Sequence, residues 1–182
     1  MKPETVSTKN IYKGRIFDVR LDHIREGDVE YSREIITHPG SAVIVPVFDD
    51  GTVALVRQYR HAAGKYLLEI PAGSLDGAES PETGAARELE EEIGVIAAKL
   101  QKIAEFYVSP GFLSEKMFVF LATGLTETAQ NLESDELIEL ERLTLLQALD
   151  LIRNGGIEDA KTIVGVTFAA ARYGFHFDTI TT

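Results

Sequence analysis

The 182-residue chain has no cysteine and no tryptophan. The first absence removes a disulfide framework, a zinc–thiolate centre and a thiol nucleophile together. The second means that any platform for stacking a nucleobase must come from Phe, Tyr or Arg. Positive charge is scarce: 18 Lys and Arg stand against 29 Asp and Glu, a net charge of −11. Such a chain repels polyanions, which argues against binding a DNA or RNA backbone. It still admits a small phosphorylated ligand, because divalent cations bridge carboxylates to phosphates. No apolar run approaches the roughly 18 residues of a membrane span. Met1–Asn10 also lacks the apolar core of a secretory leader. The expectation is a cytoplasmic protein without nucleic-acid or membrane partners. With 45% apolar residues, the chain has enough material for a real core.

The acid is unevenly placed. Residues 76–92 hold seven acids (Asp76, Glu79, Glu82, Glu88, Glu90, Glu91, Glu92) against Arg87, and residues 133–142 hold five (Glu133, Asp135, Glu136, Glu139, Glu141) against Arg142. These two segments carry −6 and −4, which is −10 of the −11, so the rest of the chain is near neutral. A charge run is commonly a solvated face, and spacing has to decide whether these are more than that.

Short alternating or apolar runs predict strands at 14–22, 31–37, 41–48, 52–58, 66–70, 103–107, 117–122 and 137–143. Ser80-Pro81 supplies an N-cap and a first-turn proline for a helix that Gly94 closes. Thr144 to Gln147 reads as a capping box opening a second helix. Asp159–Tyr173 reads as a third, largely apolar helix. The order predicts a mixed sheet with a few helices and no repeats. Residues 1–40 are expected as a separate strand segment and 41–182 as the main domain.

On the first helix, Glu88, Glu91 and Glu92 stand at i, i+3 and i+4, and so on one face. At about 100° per residue, Ala86, Leu89 and Ile93 fall on an adjoining stripe able to bury. Like charges at this spacing cost a helix a few tenths of a kcal/mol per pair, so propensity does not explain them. A hard divalent cation does: Mg²⁺ or Mn²⁺ takes oxygen ligands, keeps waters and recruits substrate phosphates. Backbone carbonyls in the turn 71–73 lie near in sequence.

Gly73, five residues, Glu79, seven residues, Arg87-Glu88-Leu89, one residue, Glu91-Glu92, one residue and Gly94-Val95 together resemble the complete signature of the Nudix hydrolases. The resemblance implies an α/β/α sandwich around a mixed sheet as the catalytic domain over 41–182, with the N-terminal antiparallel strand segment 1–40 ahead of it. It implies a metal-dependent hydrolase using Mg²⁺ or Mn²⁺, with Glu88, Glu91, Glu92 and the Ala72 carbonyl as ligands. Gly73 and Gly94 then serve its turns, and Glu79 with Arg87 braces the motif.

Other segments choose the substrate. Ser109-Pro110-Gly111, with Pro110 fifteen residues past Val95, is similar to the ADP-ribose pyrophosphatase branch, as are Arg57-Gln58-Tyr59-Arg60 and Leu68–Gly73. This implies a small-molecule substrate, a nucleoside diphosphate sugar. Arg57 and Arg60 then either clamp its diphosphate or form plain salt bridges with nearby acids. Glu115 would by resemblance bind the terminal sugar hydroxyls, and Arg33 and Phe17 would contact or stack on a base. For the general base, the branch points to Glu136, with Glu133 next; Glu139 and Glu141 read as the polar face of a strand. Relatives in this branch are homodimers through their N-terminal strands, and the same is expected here. The alternatives are a housecleaning hydrolase of nucleoside triphosphates and a catalytically silent nucleotide sensor.

Overall fold

The computed structural model describes residues 2–132 and 137–177. They group into two compact units, one of residues 1–40 with 106–117, the other of residues 41–105 with 118–182. The segment 106–117, expected with the main domain, therefore groups with the N-terminal strands.

The first unit is a three-stranded antiparallel sheet ordered β1 (Glu4–Lys13), β2 (Asp18–Glu26) and β3 (Val29–Thr37). β1 escapes the sequence pattern because all ten residues are exposed and no buried face imposes alternation. Its ladder with β2 is broken by register shifts after Thr5 and Asn10, the mark of β-bulges. Residues 14–17, expected as strand, instead form the turn between β1 and β2, where Gly14 N donates to Phe17 O at 3.1 Å. Leu113 bridges to Ile36 beside β3, and Ile36 N donates to Phe112 O at 2.7 Å.

The second unit is built around β4 (Ser41–Pro46), all of whose residues are buried. It lies in a sheet ordered β7 (Ala72–Ser74), β4, β9 (Lys116–Glu127) and β8 (Val95–Tyr107). A second sheet is ordered β10 (Ile138–Thr144), β5 (Thr52–Arg60) and β6 (Lys65–Glu69). After Ser41, β4 is apolar because both of its faces are covered. Ala42 and Ile44 join the cluster of Ala85, Leu89 and Ile93, contributed by helix α1 (Pro81–Glu88) and the turn after it. Val45 faces the other way, toward Gly165 of α3 (Ala160–Arg172). Helices thus flank the strand on both sides, as in an α/β/α sandwich. Each large aliphatic side chain buried here contributes about 1.5–3 kcal/mol.

The caps follow the sequence. Ser80 Oγ accepts from Thr83 N at 3.1 Å. Thr144 and Gln147 form a reciprocal capping box at the head of α2 (Leu145–Arg153). Two expectations fail locally. β8 begins at Val95, directly after Gly94, rather than at Ile103. The buried stripe of the first helix runs through Ala85, Leu89 and Ile93, whereas Ala86 is exposed. From Leu89 to Ile93 the helix opens into a π turn. Such turns are rare and concentrate at functional sites.

Candidate active site

β6 ends at Glu69, and Ile70-Pro71 leads into β7. Ala72 and Gly73 pair with Val43 and Ala42 of β4, and Ile44 N donates to Pro71 O at 2.9 Å. This fixes the turn against the helix that follows. A Cβ on residue 73 would lie 1.8 Å from Glu88 Oε1, so only glycine leaves the carboxylate its place. At the other end Gly94 stops the π turn with φ +70°, a left-handed cap. A Cβ there would also meet Gln130 N at 2.9 Å. Residues 128–131 fold over this end: Asn131 N donates to Glu91 O at 3.0 Å, and Gln130 Nε2 donates to Glu92 O at 2.6 Å.

Between the two glycines, Glu88 and Glu92 are only 7% and 3% exposed. Buried carboxylates demand partners. Arg87 Nη1 donates to Glu88 Oε1 at 2.7 Å and to Glu91 Oε2 at 2.9 Å. Its Nη2 donates to Glu79 Oε1 at 2.9 Å and to Ser74 O at 3.2 Å. Glu92 turns elsewhere and accepts from Ala72 N at 3.2 Å. The structure thus joins Glu79, Glu88 and Glu91 on one guanidinium and sets Glu92 on the turn that carries Ala72. The π turn and Arg87 together explain why the three glutamates do not share one point, as an ideal α-helical face would suggest. Among the described residues no three His, Asp or Glu side chains close into a finished cation cage.

The electrostatics follow from this arrangement. The hydrogen bond from Arg87 holds the Glu79 carboxyl below its ordinary range, and Asp76 N–H adds to it. The same carboxylates push the Arg87 guanidinium up, Glu79 foremost. Arg87 Nε is buried with no hydrogen-bond partner. One guanidinium therefore answers three carboxylates, and the ligand atoms around it are hard oxygens. That oxygen donor set, with Gly73 forming a cradle for Glu88, suits a hard divalent cation.

The strand arginines are both paired. Arg57 Nη2 donates to Glu141 Oε2 at 3.0 Å, with both side chains well exposed. Arg60 forks onto Glu69, Nε to Oε1 at 2.8 Å and Nη2 to Oε2 at 2.6 Å. Burial alone would raise the Glu69 carboxyl, yet Arg60 and Lys161 hold it below the ordinary range. Lys161 is the residue the sequence reading missed. It is a charged side chain on a helix that otherwise reads as apolar, and that contrast was its only signal.

Glu115, Arg33 and Phe17 belong to the first unit. Glu115 lies 3.8 Å from His38 Nδ1. Arg33 stacks over the Tyr31 ring at 4.3 Å, and Phe17 is exposed beside Tyr12. The two candidates for the general base, Glu136 and Glu133, lie outside the described residues. No described helix is long and apolar enough to cross a membrane.

The turn–helix–turn with its inward carboxylates defines a class. Residues 38–164 match the NUDIX domain, and the chain belongs to that family. It is 38% identical over 171 residues to an ADP-ribose pyrophosphatase of Bacillus subtilis (strain 168), with 92% of each chain covered. It is 36% identical over 168 residues to a methanol dehydrogenase activator of Bacillus methanolicus, with 91% of each covered. A solved structure titled as that of an ADP compounds hydrolase matches with a TM-score of 0.85 at 24% identity, over 96% of this chain and 95% of that one. This last likeness supports the fold expected from the signature.

Proposed function

We propose that this Nudix pyrophosphatase hydrolyses the pyrophosphate bond of nucleoside diphosphate sugars, with ADP-ribose as the prototype, using Mg²⁺ or Mn²⁺. The observation that carries the reading is the buried pair Glu88 and Glu92, held between Gly73 and Gly94 on a π turn with Glu91 beside them. The 38% identity to an ADP-ribose pyrophosphatase supports the choice of substrate.

Glu88, Glu91, Glu92 and the Ala72 carbonyl are the residues to hold the ions. When bound, the cations neutralise the diphosphate and lower the pKa of a bound water. The chain's own groups do the rest. Arg87 pairs with Glu88 and Glu91 and orients them. Arg57 and Arg60 receive the diphosphate; the exposed pair of Arg57 with Glu141 is worth little and yields easily. Glu136, or Glu133 next to it, takes the proton of the attacking water. A phosphorus–oxygen bond forms to that water as the bridging phosphorus–oxygen bond breaks, giving a nucleoside monophosphate and a sugar phosphate. Glu115 binds the terminal sugar hydroxyls and Arg33 the base. Residues 1–40 form a homodimer.

The test is hydrolysis of a panel of nucleoside diphosphate sugars and nucleoside triphosphates with each metal, products identified by mass. ADP-ribose should yield AMP and ribose phosphate. Strong turnover of triphosphates with none of ADP-ribose or GDP-mannose would sink the reading.

A further inference from the structure

Lys161 has no part in the chemistry above, yet it is 7% exposed and charged. Its ammonium meets Glu69, itself 1% exposed, and lies 3.1 Å from Asp159. On its other side Glu69 is forked by Arg60. Asp159, Lys161, Glu69 and Arg60 therefore form one chain of alternating charge. The next residue ties in the backbone: Thr162 Oγ1 accepts from Ile70 N at 2.9 Å and donates to Asp159 Oδ2 at 2.6 Å. The first turn of α3 thus holds residues 69 and 70, immediately before the Pro71–Gly73 turn.

A buried carboxylate forked by an arginine already has its charge matched, and a neutral donor would suffice for the lone pairs left over. Burying an ammonium besides has a desolvation penalty. What Lys161 changes is the balance of charge. Without it, Asp159, Glu69 and Arg60 would together carry a net −1. With it, the four charges balance, and Arg60, 40% exposed, presents an Nη1 outside the fork with no surplus negative charge behind it. We propose that Lys161 is a positioning residue for substrate binding, acting through Glu69 to offset the carboxylates behind the Arg60 guanidinium and keep it aimed for the diphosphate. This rests on the reading of Arg60 as a diphosphate ligand.

Steady-state kinetics of the full chain with ADP-ribose and Mg²⁺ test it, on wild type, Arg60→Ala, Lys161→Met and Asp159→Asn. Arg60→Ala should raise KM about tenfold or more. Lys161→Met should raise KM about fivefold with kcat within about twofold, the mark of lost ground-state binding. A structural role alone would lower the melting temperature and leave KM in place. KM raised in Arg60→Ala but unchanged in Lys161→Met overturns this inference alone. KM unchanged in both overturns the clamp reading and this inference with it. Should Lys161→Met fail to fold, Asp159→Asn decides: asparagine keeps the helix cap and leaves Lys161 wholly to Glu69. KM should then fall about twofold or more, and a KM unchanged or raised overturns the inference.

Discussion

Arg87 Nη1 stands between Glu88 and Glu91, 2.7 Å from one carboxylate and 2.9 Å from the other, while its Nη2 reaches Glu79 at 2.9 Å. The arginine of the motif is thus an internal counter-charge, and its surroundings predict how stability depends on pH. Arg87→Ala should destabilise the metal-free protein by about 1–3 kcal/mol near neutral pH, as expected for charge-assisted bonds at a partly exposed site. Glu79 has its folded-state pKa depressed below the ordinary 4.5. Its contribution is therefore complete above that value and is lost as pH falls through the lower folded value. Urea midpoints of wild type and Arg87→Ala should converge between about pH 5 and pH 3. A gap that stays constant or widens over that range would contradict the assignment.

Glu92→Gln separates charge from packing. The glutamine oxygen can still accept from Ala72 N, so the turn should hold, but an anionic oxygen is lost. Activity should fall by more than about tenfold with the melting temperature of the metal-free protein little changed. A cation that binds the native state at about a hundred times its Kd adds about 2.7 kcal/mol of stability. Mg²⁺ should therefore raise the melting temperature of wild type, and raise it less in Glu92→Gln. Equal responses would remove Glu92 from the ligand set.

Gly73→Ala tests the cradle. The added Cβ would sit 1.8 Å from Glu88 Oε1, which no rotamer adjustment of the alanine can relieve. Glu88 must leave its position and its bond to Arg87. Overpacking of this kind costs about 1–3 kcal/mol, and activity should fall by more than about tenfold because a displaced carboxylate misorients the site. An active Gly73→Ala enzyme would show that Glu88 is free to move in the working state.

The proton acceptor is placed by resemblance alone. Glu136→Gln should lower kcat by about 10²- to 10⁴-fold with little change in KM, as for loss of a general base. A near wild-type rate for Glu136→Gln with a slow Glu133→Gln would move the role three residues back.

What the sequence disclosed and what it withheld follow one physical rule. Elements with a buried face wrote themselves into the pattern: the apolar run of β4, the caps Ser80 and Thr144, and Gly94 at the helix end. β1 has no buried face and left no period to read. The π turn left none either, since the spacing of Leu89 and Ile93 suits an α-helix equally well. Ala85 and Ala86 stand four and three residues before Leu89, and both spacings fit one helical face, which is how Ala86 stood in for Ala85. The motif named Glu88, Glu91 and Glu92, but only coordinates show that Arg87 gathers two of them and the Ala72 peptide the third. Glu69 and Lys161 come from segments 92 residues apart. A single charge inside an apolar run is ambiguous until its partner is seen.

β1 supplies the last prediction. It is an edge strand of the sheet β1-β2-β3, and Val6, Ile11 and Tyr12 on it are 46%, 56% and 55% exposed. An exposed edge carrying large apolar residues is a template for pairing unless something covers it. Its lysines, Lys9 and Lys13, blunt that tendency only in part. A second copy of the same strand segment would bury these side chains, and a stable interface of this kind buries about 1,200–2,000 Å² in all. Sedimentation of the full-length chain should therefore give a dimer at micromolar concentration. Placing a charge among these exposed apolar residues, as in Ile11→Asp, should weaken the dimer by more than about tenfold, since an unpaired charge would be buried there. A wild-type monomer, or a dimer indifferent to Ile11→Asp, would remove β1 from the interface.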